Sequence, residues 1–495
     1  MTTPAYGTDV FRWPLIGPVL RWRHARTALQ LVLLVIAAVI VLHGLLGSQL
    51  APANLATVLT WVHYRGLLIV ALLAVGNLFC TGCPFILVRD AARRLHTPSA
   101  RWPRWLRRKW PALVLFVAVL FVYELFDLWS LPRATAWLVL GYFGAALAVD
   151  LVFSGASFCK YVCPIGQFNF LVSTLSPLEV RVREPATCGA CRTADCIKGR
   201  RAPEAPLRVV RRGCELGLFL PAKVGNLDCT LCLDCVQACP HDNIALATRV
   251  PGFELAEARR RSGIGKLAQR WDLAALAAVF VFGALLNALG MISPVYVLER
   301  KIGAWLGTTA EAPVLALLFL LMLVVVPAVL LGVAGWASSL AVGAPQGGLK
   351  GGLKGGLKGG LKTALYVRTF VYALVPFGAG VWAAHYGFHL LTGALTIVPV
   401  TQSAVAELAG HAWLGAPRWT WVGLPPGEVL PIQLGLLVLG TIGSMALVWL
   451  IAERESPSRV VAAAGPWMAL TLVLLVVAVW MLAQPMEMRA AGALG

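Results

Sequence analysis

Charged residues are scarce in this 495-residue chain. Asp, Glu, Lys and Arg make up 13% of the sequence, about half of the roughly 25% found in an average soluble domain. So little charge cannot cover the surface of several globular domains, and a chain that is 59% hydrophobic lacks the polar composition of a disordered protein. The composition therefore excludes a water-soluble enzyme and a disordered chain, and it predicts a protein that lies largely in a lipid bilayer.

Acidic residues are the scarcest of the charged types. The chain has 23 acidic and 42 basic residues, which gives a net charge of +19. In a soluble protein this excess would suggest nucleic acid as a partner. In a membrane protein it has another cause, because basic residues gather in cytoplasmic loops. We therefore expect lipid contact and no nucleic-acid partner.

Nine apolar stretches are long enough to cross the membrane, whose core of about 30 Å takes roughly 20 helical residues. A further stretch, 393–409, is a candidate for a tenth, partly buried segment. The nine stretches are 28–49, 66–83, 111–130, 135–157, 272–292, 312–336, 364–386, 429–452 and 467–484.

The basic residues predict which side of the membrane each loop faces. If the N-terminus is inside, 35 of the 42 basic residues fall in segments on the inside. We therefore expect a multi-pass protein of a bacterial-type inner membrane, with the N-terminus and residues 158–271 in the cytoplasm and the C-terminus outside. The inside segments are 1–27, 84–110, 158–271, 337–363 and 453–466.

Cysteine is absent after residue 239, and ten of the twelve cysteines lie in the segment 158–271. All twelve fall at or beyond the predicted cytoplasmic ends of helices. In a reducing compartment, clustered cysteines indicate metal ligands or redox groups before structural disulfides.

The strongest motif is the run Cys229-x2-Cys232-x2-Cys235-x3-Cys239-Pro240. This spacing is that of bacterial ferredoxins, in which it binds a [4Fe–4S] cluster. The short gaps let one loop surround three thiolates, and backbone N–H groups of the same turn point at the cluster sulfurs. A zinc site does not need four thiols at such close spacing. The run therefore predicts iron–sulfur binding.

A second, more open set of cysteines precedes this run. It has the spacing Cys188-x2-Cys191-x4-Cys196, and Cys214 follows after seventeen intervening residues. Cys214 is followed by Glu215, where the later run has proline. In two-cluster ferredoxins the last cysteine of each run binds the other cluster. We therefore expect two [4Fe–4S] clusters, the first held by Cys188, Cys191, Cys196 and Cys239, and the second by Cys229, Cys232, Cys235 and Cys214.

Four further cysteines form two pairs at predicted helix ends, Cys80 with Cys83 and Cys159 with Cys163. Each pair ends in Cys-Pro, and the proline would turn the helix and present both sulfurs. If the two helices are neighbours, the four thiols converge near the membrane surface. Three interpretations remain open: a third iron–sulfur cluster or another metal such as copper, dithiol–disulfide chemistry, or structural cysteines.

These features predict an all-α polytopic membrane protein with about nine transmembrane helices and an inserted cytoplasmic ferredoxin-like 2[4Fe–4S] domain. Residues 1–157 would form a four-helix membrane unit, and residues 158–271 the iron–sulfur domain. Residues 272–495 would form a second membrane unit of about five helices, to which the sequence assigns no function.

Residues 1–250 resemble a known family, the membrane-bound polyferredoxin proteins of the NapH, NosR, MauN and CcoG type. The resemblance is carried by the segment from Cys159 to Pro164, which matches the family's Cys-x3-Cys-Pro motif, and by the cysteine runs that follow. It implies a transmembrane helical unit with two [4Fe–4S] clusters on the cytoplasmic side. It also implies electron transfer linked to the quinol pool, or redox support for assembling a periplasmic metalloenzyme.

Ionisable residues inside predicted membrane helices are costly and indicate function. Asp150 and Glu124 are our candidates for residues that accept protons released by a quinol. The alternative for Asp150 is capping or pairing within the helix bundle, and Asp127 is expected at the membrane interface.

His385 and His389 are four residues apart and therefore share one helix face. Such a pair suits a metal ion, a quinone carbonyl or a haem. Their position beside Trp382 and Tyr386 favours a simpler interpretation, in which they are interfacial histidines within an aromatic belt.

Eight basic residues, from Arg89 to Lys109, crowd the loop between the second and third predicted helices. With the tryptophans among them, they favour an amphipathic helix at anionic lipid headgroups, and docking of an acidic redox partner is the alternative. The acidic residues near the later cysteines are expected to be solvated surface. These residues are Asp195, Asp228, Asp234 and Asp242.

The expected function is electron transfer between the quinone pool or a membrane partner and a redox protein, through two [4Fe–4S] clusters. The sequence has no Gly-rich nucleotide motif and no nucleophile–base arrangement, so we do not expect a self-contained enzyme. The enzyme role left open is that of a quinol dehydrogenase-type electron-transfer subunit. Two alternatives remain open. They are an assembly or metal-handling factor that reduces or passes on copper, and a component of a redox-coupled transporter.

Overall fold

The computed structural model describes residues 7–96, 98–202, 209–343 and 359–486. Within these ranges, eight helices are long and apolar enough to cross a membrane. The prediction of an all-α polytopic membrane protein is therefore confirmed. The eight helices are Ala25–Leu46, Leu55–Val75, Pro132–Val152, Trp271–Leu289, Glu311–Val342, Gly360–Thr392, Pro426–Glu455 and Val460–Leu482.

Two further apolar helices are shorter, Trp110–Leu125 and Ile397–Ala409. They correspond to the third predicted span and to the suggested tenth segment. With 16 and 13 residues, they fall below the roughly 20 residues that cross a membrane core. The predicted count of nine therefore becomes eight long helices and two short ones among the described residues.

The second predicted span, 66–83, is wrong at both ends, because the helix runs over Leu55–Val75. Hydropathy excluded the first part of this helix because it contains polar residues. These have internal partners: the Thr57 hydroxyl donates to the Asn54 carbonyl, and the His63 ring bonds the Val58 carbonyl. The helix ends at Gly76, whose φ of 83° is the left-handed conformation that glycine adopts most readily.

The remaining helices are shorter, and the strands form two antiparallel pairs. Strand Leu178–Val182 pairs with Ile244–Thr248, and strand Arg200–Arg201 pairs with Val209–Arg211. The shorter helices are Ile16–Arg21, Leu78–Thr81, Pro84–Ala92, Pro164–Val172, Pro185–Ala190, Asp195–Lys198, Asp234–Ala238 and Ser293–Leu306.

The chain divides into two compact units. The first unit comprises Met1–Ala38, Val70–Ala112 and Leu140–Lys266, and it contains all twelve cysteines. The division of the chain into three parts by sequence position stays a prediction. The second unit comprises Val39–Ile69, Leu113–Val139 and Leu267–Gly495.

The core of the first unit lies around the longer strand pair. Val180 and Leu246 are buried there, and Val10 and Phe11 from the N-terminal segment pack against them. Burial of these apolar side chains away from water stabilises the unit. Several cysteines of the two later runs pack against the same core, so the strand pair positions the loops that carry them.

The second unit is held together by close packing of helices around Gly360–Thr392. A Cβ atom placed on Gly440 would lie 2.6 Å from the Pro376 carbonyl oxygen and 3.2 Å from the Gly380 Cα atom. Small residues at such crossings let two backbones approach closely. Gly435 lies on the same helix, and a Cβ atom there would meet nothing within 4 Å.

We expect Gly440→Ala to destabilise the protein by about 1–3 kcal/mol, because the added methyl group overpacks the helix crossing. Thermal unfolding in detergent would measure the effect as a lowered Tm. Gly435→Ala is the matched control and should leave the Tm unchanged or slightly raised, since alanine is the better helix former. Equal melting of the two variants would contradict the close approach.

Candidate metal centre

Cys83 and Cys163 share one local structure, and the proline after each explains it. Each is the N-cap of a short helix, Pro84–Ala92 or Pro164–Val172, whose first residue is the proline. Proline suits this position because its fixed φ is helical and no N–H is lost. At Cys163 the first turn of the helix faces the sulfur, and Gly166 N donates to Cys163 Sγ at 3.2 Å. Because a helix N-terminus stabilises negative charge, both sulfurs are suited to act as thiolate ligands.

The four cysteines Cys80, Cys83, Cys159 and Cys163 form one set, called here the helix-end group. Burial raises the pKa of Cys80 to about 12, and negative charge on Cys83 contributes to that rise. Burial also raises the pKa of Cys159 and Cys163, and for each of them charge on Cys83 raises it further. Such thiols keep their protons at neutral pH unless a metal ion replaces them. The two pairs therefore lie within electrostatic range of each other.

The loop that carries the ferredoxin-type run contains strained backbone. Asp228, Leu231 and Leu233 have φ angles of 62°, 49° and 60°, in the left-handed region that leucine rarely adopts. Strained residues concentrate at ligand sites, and backbone that alternates in this way turns N–H groups toward an anion. The loop between Cys229 and Cys235 therefore has the form expected around a negatively charged group.

The earlier cysteine run repeats this turn. Ala194, with a φ of 52°, precedes the helix Asp195–Lys198 in the same way that Leu233 precedes the helix Asp234–Ala238. In both places an Asp-Cys pair begins the helix. The two runs therefore share a local structure, although the gap before the last cysteine is wider in the earlier run.

One set of four sulfurs combines the earlier run with the last cysteine of the later one. Burial raises the pKa of Cys188, and negative charge on Cys239 and Cys191 raises it further. Burial also raises the pKa of Cys196 to about 11. Negative charge on Cys239, Cys188 and Cys191 raises it further, and so, least of all, does charge on Cys214, which the expected ligand pattern assigns to the other set. We call these four cysteines the first sulfur group.

The other set combines Cys214 with the first three cysteines of the later run. After burial, negative charge on Cys229 raises the pKa of Cys214, and charge on both of them raises the pKa of Cys235. Charge on Cys235 likewise contributes to the raised pKa of Cys232. We call these four cysteines the second sulfur group.

Both sets consist of cysteines, the residue type that holds iron–sulfur clusters. Among the residues that the structure describes, no three Cys, His, Asp or Glu side chains are grouped as ligands of a metal ion. In a [4Fe–4S] cluster each thiolate binds a different iron, so the sulfurs surround a cube. Donors also face the sulfurs: Asn243 Nδ2 lies 3.4 Å from Cys188 Sγ, and Leu218 N lies 3.4 Å from Cys214 Sγ. Such contacts temper the negative charge of a cluster. The assignment of each ligand stays a prediction.

A buried network of charges connects the helix ends with the later loops. Arg26 contacts Asp234 at 2.5 Å and Glu215 at 3.3 Å, while Arg89 contacts Glu215 at 2.9 Å and Asp150 at 3.3 Å. Burial alone would raise the pKa of Glu215, but Arg26 and Arg89 lower it to about 2, so Glu215 is ionised at neutral pH. Sequence reasoning missed Arg26 and Arg89. The available signal was the glutamate that replaces proline after Cys214.

This network changes the interpretation of two carboxylates. The expectation that Asp234 is solvated surface is wrong, because Arg26 covers it. Asp150 accepts hydrogen bonds from Arg89 and from the backbone N–H of Phe158, which matches the alternative of pairing within the bundle. A proton-accepting role for Asp150 stays a prediction.

Lys109 and Asp228 form a second buried pair. Lys109 Nζ lies 2.5 Å from Asp228 Oδ1, and the two side chains are 5% and 3% exposed. The same ammonium group donates to the Lys160 carbonyl at 3.1 Å. The expectation that Asp228 is solvated is therefore wrong, because a distant lysine is buried against it. The pair fixes the start of the loop that carries the second sulfur group.

The basic loop between the second and third predicted helices differs from the expected amphipathic helix. It contains the helix Pro84–Ala92 and a short turn at Arg104–Leu106. Arg89 and Lys109 form the buried ion pairs described above, and Arg93 donates to several backbone carbonyls, including that of Asp150. The spacing of charges along one loop could not reveal these partners, because they lie elsewhere in the chain.

His385 is buried in the second unit, with 1% of its surface exposed, so the expectation that it is interfacial is wrong. Its ring lies 5.1 Å from the His389 ring. Neither ring nitrogen of His385 has a hydrogen-bond partner among the described residues. Arg65 stacks over the neighbouring Tyr386 ring at 4.7 Å. The histidine pair is thus part of a buried polar cluster.

Glu124 is also buried in the second unit and accepts a hydrogen bond from Asn287 Nδ2 at 3.2 Å. Asp127 follows the helix Trp110–Leu125 and has a φ of 45°, as expected of a residue that ends a helix. A proton-accepting role for Glu124 stays a prediction.

We expect Lys109→Met to destabilise the protein by about 3–5 kcal/mol, because it leaves the Asp228 carboxylate buried without its partner. Thermal unfolding in detergent would detect this as a lowered Tm. Arg108→Met is the matched control on an exposed neighbour and should cost less than about 0.5 kcal/mol. Adding Asp228→Asn to Lys109→Met should recover part of the lost stability. A Tm for Lys109→Met equal to that of Arg108→Met would contradict the buried pair.

Two proteins of Escherichia coli (strain K12) are similar to part of this chain. The ferredoxin-type protein NapH is 27% identical over 192 residues, which are 36% of this chain and 64% of NapH. The putative electron transport protein YccM is 25% identical over 225 residues, which are 40% of this chain and 57% of YccM. The chain therefore spans less than two thirds of the length of either relative. No family model and no solved structure matches. A partial resemblance to the membrane-bound polyferredoxin proteins is thus confirmed.

Proposed function

We propose that this protein transfers electrons at a membrane through two [4Fe–4S] clusters, one held by each sulfur group. The observation that carries the proposal is the local structure that the two cysteine runs share, in which a residue in the left-handed region precedes a short helix that begins with Asp-Cys. We assign Cys239 to the cluster of the earlier run and Cys214 to that of the later one. This exchange is the ligand pattern of two-cluster ferredoxins. The names of NapH and YccM, which denote a ferredoxin-type and an electron transport protein, agree with it.

The strand pairing supports a ferredoxin-like domain. The outer strands, Leu178–Val182 and Ile244–Thr248, pair with each other, and so do the inner strands, Arg200–Arg201 and Val209–Arg211. One cysteine run and two short helices, Pro185–Ala190 and Asp195–Lys198, follow the first strand, and the other run and the short helix Asp234–Ala238 precede the last strand. The arrangement is therefore a repeated half-unit, as expected of a domain that holds two similar clusters.

The helix-end group provides a third redox site in this proposal. Asn77 Nδ2 donates to the Cys229 carbonyl at 3.2 Å, and the Thr81 hydroxyl donates to the Thr230 carbonyl at 2.8 Å. These contacts bring the segment of Cys80 against the loop of the second sulfur group. We infer that electrons move between the helix-end group, the second sulfur group and the first sulfur group, in that order or its reverse.

We assign the two ends of this electron path from the surroundings of the cysteines and from the expected orientation of the protein in the membrane. In the first sulfur group, hydrogen bonds from Ala194 and Thr193 influence the pKa of Cys191 more than burial does, whereas burial is the largest influence on Cys188 and Cys196. We therefore assign the exchange with a redox protein partner to the first sulfur group, on the cytoplasmic side. The helix-end group would exchange electrons with quinol or a membrane partner. An iron–sulfur cluster supplies one-electron transfer, while the chain sets position and charge.

Iron analysis of single cysteine variants tests the proposal. The anaerobically purified protein should contain at least about eight irons, because each [4Fe–4S] cluster holds four. Cys232→Ser and Cys191→Ser should each lose about four irons and a different EPR signal. Zinc in place of iron, or iron unaffected by both substitutions, would contradict the two-cluster assignment.

The same analysis on Cys163→Ser decides the role of the helix-end group. Loss of about four irons would identify a third cluster. Unchanged iron together with lost copper would instead support a metal-handling factor. Unchanged iron and copper, together with loss of a redox-titratable dithiol, would indicate disulfide chemistry.

A further inference from the structure

Glu215 departs from the ferredoxin pattern at the position after Cys214. The later run has proline at the corresponding position, Pro240, after Cys239. The Glu215 side chain is 11% exposed and contacts arginines from two other segments, Arg26 at 3.3 Å and Arg89 at 2.9 Å. Placing a carboxylate and two arginines together away from water is costly. This cost indicates that Glu215 has a role beside Cys214.

The two arginines lie within electrostatic range of two sulfur sites. Arg26 contacts Asp234, the residue before Cys235 of the second sulfur group, at 2.5 Å. Arg89 lies on the helix Pro84–Ala92, whose N-cap is Cys83 of the helix-end group. Glu215 bridges both arginines. Its charge and theirs therefore act on the path between the two sites.

We propose that Glu215 and Arg26 are positioning residues that set the reduction potentials of the second sulfur group and the helix-end group and hold the two sites together. The inference rests on the proposed function. Adding an electron makes a cluster more negative, so a nearby cation favours the reduced state and a nearby anion opposes it. Because Glu215 and Arg26 carry opposite charges, they shift the reduction potential of a neighbouring site in opposite directions.

The test is an EPR-monitored redox titration of the full-length protein, purified anaerobically, in four variants. Glu215→Gln removes a negative charge and should shift the potential of the second sulfur group to more positive values. Arg26→Gln removes a positive charge and should shift it to more negative values. Arg26→Lys keeps the charge and should lie close to the unmodified protein.

The matched control is Glu257→Gln. Glu257 belongs to the same unit and pairs with the exposed Arg259 at 3.1 Å, away from the arginines of the network. This substitution should leave every potential unchanged. Shifts of opposite sign in Glu215→Gln and Arg26→Gln distinguish an electrostatic role from general damage, which would not reverse with the sign of the removed charge.

The experiment distinguishes failure of the proposed function from failure of the inference about Glu215 and Arg26. Unmodified protein without cluster signals would overturn the proposed function itself. Normal signals in the unmodified protein, with a shift in Glu215→Gln that is absent or negative, would overturn only the inference about Glu215 and Arg26. If Arg26→Gln does not retain iron, Glu215→Gln and Arg26→Lys still test the inference. It requires a positive shift of the reduction potential in Glu215→Gln and no shift in Arg26→Lys.

Discussion

Compensation of buried charge is the constraint on which the cysteine-rich unit depends. Cysteines and carboxylates lie together there, largely away from water, where an unpaired charge is very costly. Arg26, Arg89 and Lys109 supply the compensating cations, and each comes from a segment at or next to an apolar helix. The carboxylates they contact adjoin cysteines of the later loops. The same ion pairs that neutralise the charge therefore also fix the loops in place.

The cysteines and their surroundings differ in how far the sequence predicts them. The pattern of two-cluster ferredoxins predicts that Cys239 and Cys214 exchange partners, and that assignment stays a prediction. The sequence could not show that Lys109 reaches Asp228, because 119 residues separate them and any exposed acidic residue was an equal candidate. The prediction of solvated aspartates failed for this reason at Asp228 and Asp234.

Hydropathy identified the membrane helices but not all of their bounds. It works where apolar residues face lipid or other helices along a whole span, as in Trp271–Leu289, for which the prediction was 272–292. It failed in Leu55–Val75, where His63 and Arg65 are buried among protein groups and so do not meet lipid. His385 illustrates the same limit, since a pattern of neighbouring aromatic residues cannot distinguish a membrane interface from the interior of a helix bundle.

The central claim is that the clustered cysteines bind iron and sulfide as cubane clusters. Mössbauer spectroscopy of anaerobically prepared, ⁵⁷Fe-enriched protein, combined with assay of acid-labile sulfide, tests it most directly. The account predicts iron and labile sulfide in equal amounts, with spectra of electron-delocalised iron pairs. A colourless protein without labile sulfide, with zinc or disulfides at the cysteines, would contradict it.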